Sequence, residues 1–198
     1  MDAAFTFMQI LYWLALSTWF GGLLFVAVAA PVIFRTIHES DPTLPTVLSV
    51  NLEGQHGTLL AGSIVANLLS TLLRFQLVCA AILALGLIVQ WVALYDTQVW
   101  PLVLRTALYI GALVLLGYDW RVVSPRIFQH RQEYIDHADE PEIANVARVQ
   151  FDRYHRESIT VLMIELGLLM GIILFSAGIS PPHRSAHLDN ATSVGSHR

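Results

Sequence analysis

The stretch Ala3–Phe34, AAFTFMQILYWLALSTWFGGLLFVAVAAPVIF, contains no charged residue. An apolar helix crosses the hydrocarbon core of a bilayer in roughly 20 residues. The stretch therefore predicts a first membrane span over about residues 5–34. A cleaved leader is the competing reading, because Ala27-Val28-Ala29 has the small residues of a cleavage site. Met1-Asp2 supplies no positive charge, however, and the apolar run is about twice a usual leader core, so a retained helix is expected. Outward along the chain, the uncharged run Phe75–Tyr95 predicts a second span over 75–95. Before it lies Gly57–Leu73, apolar but broken by Ser63, Asn67, Ser70 and Thr71. It reads as a helix that enters the bilayer obliquely and continues past Arg74. A third span over 101–118 carries Arg105, and a fourth over 158–179 carries Glu165. The expected fold is an all-α, four-span membrane bundle.

Composition agrees. The chain has 198 residues, 55% hydrophobic and 13% charged, against about 25% charged in ordinary soluble domains. A single cysteine, Cys79, excludes an intramolecular disulfide and a cysteine-built metal cluster. All eleven basic residues are arginine, which excludes Schiff-base lysine chemistry and a Gly-Lys-Ser/Thr phosphate loop. The net charge of −4, with no basic cluster beside aromatic residues, does not support nucleic-acid binding. No Gly-x-Ser-x-Gly or Ser/His/Asp arrangement is present, so the reading leans away from an enzyme.

The only long polar segment is the loop 119–157. Ser124-Pro125 reads as an N-cap followed by proline at the first helical position, starting a short helix to about Ala138. Asp139-Glu140-Pro141 restarts a second helix, whose apolar positions Ile143, Ala147, Phe151 and Tyr154 recur at helical spacing. Nothing breaks that helix before Gly178, so it is expected to run into the fourth span. Pro31 marks the exit of the first span. The tail 180–198, rich in Pro, His and Ser, is expected to be disordered. Six arginines in the 119–157 loop, with Arg35 after the first span, put both polar loops in the cytoplasm and both termini outside. The expected location is a membrane of the bacterial inner-membrane type.

Small residues four apart recur in the spans: Ser17/Gly21, Thr18/Gly22, Ala107/Gly111 and Gly167/Gly171. They suit close helix contact, either within one bundle or at the face of a homo-oligomer or larger membrane complex. Among residues that carry chemistry, Glu165 leads. A lone carboxylate in a span must be neutralised or paired. Arg74 is the expected partner, whereas Arg105 is expected to snorkel outward. Ser158 and Ser176 share the face of Glu165, which predicts a narrow polar seam. Glu165 then serves either as a proton or cation carrier or as half of a structural pair with Arg74. His130, Glu133 and His137 fall on one helical face and make a candidate divalent-metal site, with Asp136 or His155 nearby. His38, His56 and His155 lie near span ends, where two of them on facing helices could ligate haem. No cofactor is expected outright. Haem or a divalent metal is the alternative.

Trp19-Phe20-Gly21-Gly22-Leu23-Leu24-Phe25, Ala30-Pro31-Val32-Ile33-Phe34-Arg35, Ser124-Pro125-Arg126 and Phe151-Asp152-Arg153-Tyr154-His155 together resemble the transmembrane protein 205-like family and its bacterial relatives. The resemblance covers most of residues 5–179 and rests on Trp19, Gly21, Gly22, Pro31, Tyr154 and His155. It implies a four-span membrane protein with a polar loop before the last helix, and no established reaction. The family pattern continues with glycine after Tyr-His, where this chain has Arg156. Copper-resistance D-type proteins and haem-binding protoporphyrinogen-oxidase-like bundles have a similar first span. The latter carry a histidine where this chain has Leu11 and Tyr12, so that implication fails here. The leading expectation is a non-catalytic membrane protein, an accessory or resistance-type subunit. Proton or small-cation transport through Glu165 and a haem- or metal-bearing redox component are the alternatives.

Overall fold

The structure, a computed structural model, describes residues 2–40, 56–94 and 99–177. Every regular element among them is helical: α1 Asp2–Ser40, α2 His56–Leu94, α3 Val99–Tyr118, α4 Ser124–Asp136 and α5 Pro141–Ala177. A π-helical turn, Asp119–Val123, joins α3 to α4. The expected tail, 180–198, lies outside the described residues.

Four helical stretches are long and apolar enough to cross a membrane, and the molecule is an all-α four-helix bundle. Large apolar side chains turn outward along the bundle, among them Phe7, Leu14, Val78, Ile88, Val92, Ile110, Val114 and Leu174. A helix that is apolar all round is buried in protein or sits in lipid. Here the outward faces have no protein cover, so lipid is the solvent they suit.

The inner faces follow a three-and-four spacing, which on α1 and α3 repeats every seven residues, the pattern of left-handed helix packing. On α1 the buried series is Tyr12, Leu16, Trp19, Leu23 and Val26; on α3 it is Leu102, Arg105, Tyr109, Ala112 and Leu116. Helix α5 contributes Val161, Glu165, Leu169, Ile172 and Ser176. The glycines of α3 and α5 receive leucines reciprocally, Leu168 against Gly111 and Leu108 against Gly171. Gly21 and Gly167 face open space. Part of the small-residue pattern therefore packs within the bundle, and part remains on its outer surface.

The helices associate as two antiparallel units. Helices α1 and α2 pack extensively, as do α5 with α3 and α4, whereas α1 touches α5 and α2 touches α3 more sparingly. Helices α1 and α2 have 39 residues each, about 58 Å at 1.5 Å per residue, which exceeds a hydrocarbon core of about 30 Å. Helix α5, with 37 residues, carries the polar segment and the fourth span without interruption.

Three local features bear on the expected elements. Pro31 lies inside α1 and does not end it; the proline removes one backbone donor, which a long apolar helix tolerates where neighbouring contacts hold it. The stretch Gly57–Leu73 is the first half of α2, and the helix continues past Arg74 into the second span as expected. Ser124-Pro125 does not open a separate helix after a loop, because the backbone stays helical from α3 into α4. Proline at position 125 has no N–H for the carbonyl four residues back. The chain takes up the mismatch just before it, where the Ser124 N–H bonds the carbonyl of Asp119, five residues back.

Candidate functional site

Polar side chains occupy the interior of the bundle in separate layers. The central layer is Glu165, only 3% exposed. Trp19 Nε1 on α1 donates to its Oε1 at 2.9 Å, and Gln76 Nε2 on α2 donates to the same oxygen at 3.5 Å. Oε2 receives no hydrogen bond among the described residues. The indole is a donor only, so the group facing Glu165 from α1 has no oxygen to offer a metal cation.

Arg74 does not pair with Glu165: its side chain is exposed. Residues two apart on a helix are separated by about 200°. Once Gln76 faces Glu165, Arg74 must point to the other side of α2. Arg105 also departs from expectation. It does not snorkel out but is fully buried at 0% exposure, with Nε donating to Pro101 O at 3.2 Å.

Ser158 and Ser176 lie on the Glu165 face of α5, and each joins a different polar layer. Toward the α4 end, Ser158 Oγ donates to Asp119 Oδ1 at 3.4 Å, and Ser124 Oγ donates to Asp119 Oδ2 at 2.9 Å. The π-helical turn thus has a side-chain partner: it presents Asp119 to hydroxyls on two helices. Toward the other end, Ser176 Oγ and Tyr12 Oη share a hydrogen bond at 3.2 Å. Leu16, Leu83, Leu169 and Ile172 are buried in the core, so apolar side chains separate these polar groups into layers.

Several hydrogen bonds join the two helical units across a mainly apolar interface. Trp19 and Gln76 meet Glu165, and Tyr12 meets Ser176. Tyr109 Oη donates to the carbonyl of Ala80 at 2.7 Å, and Trp91 Nε1 donates to Thr106 Oγ1 at 2.9 Å. Arg131 on α4 reaches the carbonyl of Leu59 at 3.0 Å and Ser63 Oγ at 2.6 Å on α2.

The histidine cluster is not assembled. Helix α4 stops at Asp136, and His137 caps it in a non-helical conformation. The ring of His137 turns to Glu140, with Nδ1 and Oε1 3.3 Å apart. His130 pairs with Glu133 at 3.0 Å and stacks on Tyr154, ring centroids 5.6 Å apart. Among the described residues, no group of three or more His, Cys, Asp or Glu side chains is placed to hold a metal ion. Tyr154 has a packing role, since Arg126 also lies over its ring at 5.2 Å. His155 is exposed and stacks on Phe151, and His38, near the end of α1, is exposed as well. The short contact from Tyr118 to Glu157 closes the α4 end between α3 and α5.

Sequence reasoning named Trp19 only as part of a motif, and it missed Gln76, Gln90, Tyr109 and Asp119. The signal was present: Trp19 follows Tyr12 by seven residues, and Gln90 follows Gln76 by two such repeats. Polar residues on the buried positions of a seven-residue repeat are the candidates for an interior seam. The fold and site together define a four-helix bundle, of membrane-spanning dimensions, with layered polar groups at its core. Compared with family models, curated proteins and solved structures, the chain matches none.

Proposed function

We propose that the chain is a multi-span membrane protein in which Glu165 takes up and releases a proton as the working step of proton-coupled transport. One observation carries this reading. The Glu165 carboxyl is buried between two N–H donors, and Arg74, the arginine that would have made it a structural pair, points away. Intramembrane carboxyls facing a bundle interior mark proton relays and substrate paths. A proton suits this group better than a metal cation, because Trp19 presents N–H and no ligating oxygen. Since Glu165 also lies where the two helical units meet, its charge state bears directly on how they dock. The likeness to the transmembrane protein 205-like family belongs to the same proposal, supported by four apolar helices and a polar segment before the last.

The test is proton flux into proteoliposomes driven by an imposed potassium diffusion potential and read by an enclosed pH-sensitive dye. Wild-type protein should acidify or alkalinise the lumen with the sign of the potential. Glu165→Gln should lower the rate at least tenfold while keeping the wild-type elution profile in detergent. Equal rates for the two proteins would dismiss the proposal.

A second reading, an accessory or resistance-type subunit, draws on a different observation. Phe128 on α4, and Ile143, Val146 and Val149 on the polar end of α5, are exposed outside the predicted spans. These side chains suit contact with another membrane component. This reading expects a partner to survive gentle purification and Glu165→Gln to be functionally silent.

A further inference from the structure

Among the described residues, the buried side-chain nitrogens and oxygens without a hydrogen-bond partner gather in one layer of the bundle. They are Nη1 and Nη2 of Arg105 on α3 and Oε1 of Gln90 on α2. The Trp91–Thr106 hydrogen bond sets the level, since it joins the next residue on each helix. Arg105 is 0% exposed and Gln90 2%. The guanidinium is anchored through Nε to Pro101 O, which holds the rest of the fork in place. The Tyr12 hydroxyl, bonded to Ser176, also lies close enough to interact with the guanidinium. This layer is distinct from that of Glu165, and Ile172 and Leu169 lie between them on α5.

Arginine remains charged under any condition a protein survives. A buried guanidinium with two empty nitrogens is strongly unfavourable, and loss of a proton does not relieve it. An anion would meet both the unfilled donors and the buried charge. The planar fork matches two oxygens of one group, the geometry of carboxylate and phosphate recognition. The hydroxyls of Tyr12 and Ser176 can donate to the same group, and Gln90 Oε1 can accept from a protonated oxygen or an adjoining hydroxyl. Arg105 is six residues into α3, about 9 Å from its first residue. Both a free anion and a phospholipid phosphate drawn inward have the required chemistry.

We infer that Arg105, with Tyr12, Ser176 and Gln90, forms a binding site for one phosphate-type oxyanion at the end of the bundle remote from α4. The experiment uses the full chain, purified in a maltoside detergent and stripped of lipid. Thermal unfolding and native mass are measured with inorganic phosphate, phosphatidylglycerol micelles or diacylglycerol micelles. Wild-type protein should gain about 5 °C or more in its unfolding midpoint with a phosphate-bearing ligand and retain one such ligand per chain. Arg105→Met should show neither effect. A response to inorganic phosphate identifies a free anion, whereas a response to phosphatidylglycerol but not to phosphate or diacylglycerol identifies a headgroup. Identical responses of wild type and Arg105→Met, or no response by wild type, would overturn the site. Should Arg105→Met not fold, Tyr12→Phe leaves the guanidinium in place and should weaken binding several-fold; unchanged binding would count against the site equally.

Discussion

Glu165 accepts two N–H bonds on one oxygen, so substitutions there separate charge from hydrogen bonding. Glu165→Gln keeps an amide oxygen for Trp19, and its unfolding midpoint should stay within about 3 °C of wild type. Glu165→Leu leaves the Trp19 N–H buried without an acceptor, an omission that typically costs about 1–3 kcal/mol. It should therefore be clearly less stable than Glu165→Gln in the same thermal assay. Trp19→Phe removes the closer donor and should cost about as much as Glu165→Leu. In the double variant the two losses should not add, because both remove one interaction. Additive losses would mean that the 2.9 Å contact contributes little.

At the scale of the element, two glycines that look alike in sequence should behave differently. A Cβ at Gly86 would lie 2.8 Å from Tyr12 Cδ2 and 3.2 Å from its Cβ, against a ring fixed in the core. At Gly22 the nearest atom, 2.6 Å away, is the terminal Cδ1 of Leu72, which can rotate aside. Gly86→Ala should lower the unfolding midpoint by several degrees, roughly what 1–3 kcal/mol of overpacking produces, and Gly22→Ala should be close to neutral. Helix α4 offers a different test. Arg131 holds it to α2 through Leu59 O and Ser63 Oγ. Arg131→Met should speed cleavage by a glutamate-specific protease at Glu140 several-fold, measured by limited proteolysis in detergent. An unchanged rate would show that α5 alone keeps α4 in place.

The whole molecule is two helical hairpin-like units joined by polar bonds at a mainly apolar interface. In lipid, where apolar surfaces gain little by meeting each other, helix association depends on close packing and interhelical hydrogen bonds. Co-expressed segments 1–96 and 97–198 should therefore co-purify. A Trp19→Phe, Tyr12→Phe double variant of the first segment should recover several-fold less of the second, as both hydroxyl and indole links to α5 are lost. Full recovery would assign the association to apolar packing alone. The membrane orientation is a separate expectation: with arginines concentrated beyond the third span, the termini should be labelled by an impermeant reagent from the outer face of intact cells.

Length and hydropathy alone determined that the chain forms apolar helices of spanning size, because each helix satisfies its backbone internally and its side chains suit lipid on every side. The spacing of Ser158, Glu165 and Ser176 likewise placed them on one face of α5, since 3.6 residues per turn is a local property. The continuous course of α5 through Pro141–Ala177 was legible for the same reason. Which residue meets Glu165 was not. Arg74 was the obvious cation by charge, but the rotation of α2 about its axis turned Gln76 inward and Arg74 outward. Arg105 was expected at the surface because a single helix offers an arginine a route outward; packing within the bundle buried it instead. The three loop residues His130, Glu133 and His137 shared a face only as long as the helix continued, and α4 ends before His137. Local periodicity sets which residues share a face. Only the mutual rotation and register of neighbouring helices, a property of several segments at once, decides what that face meets.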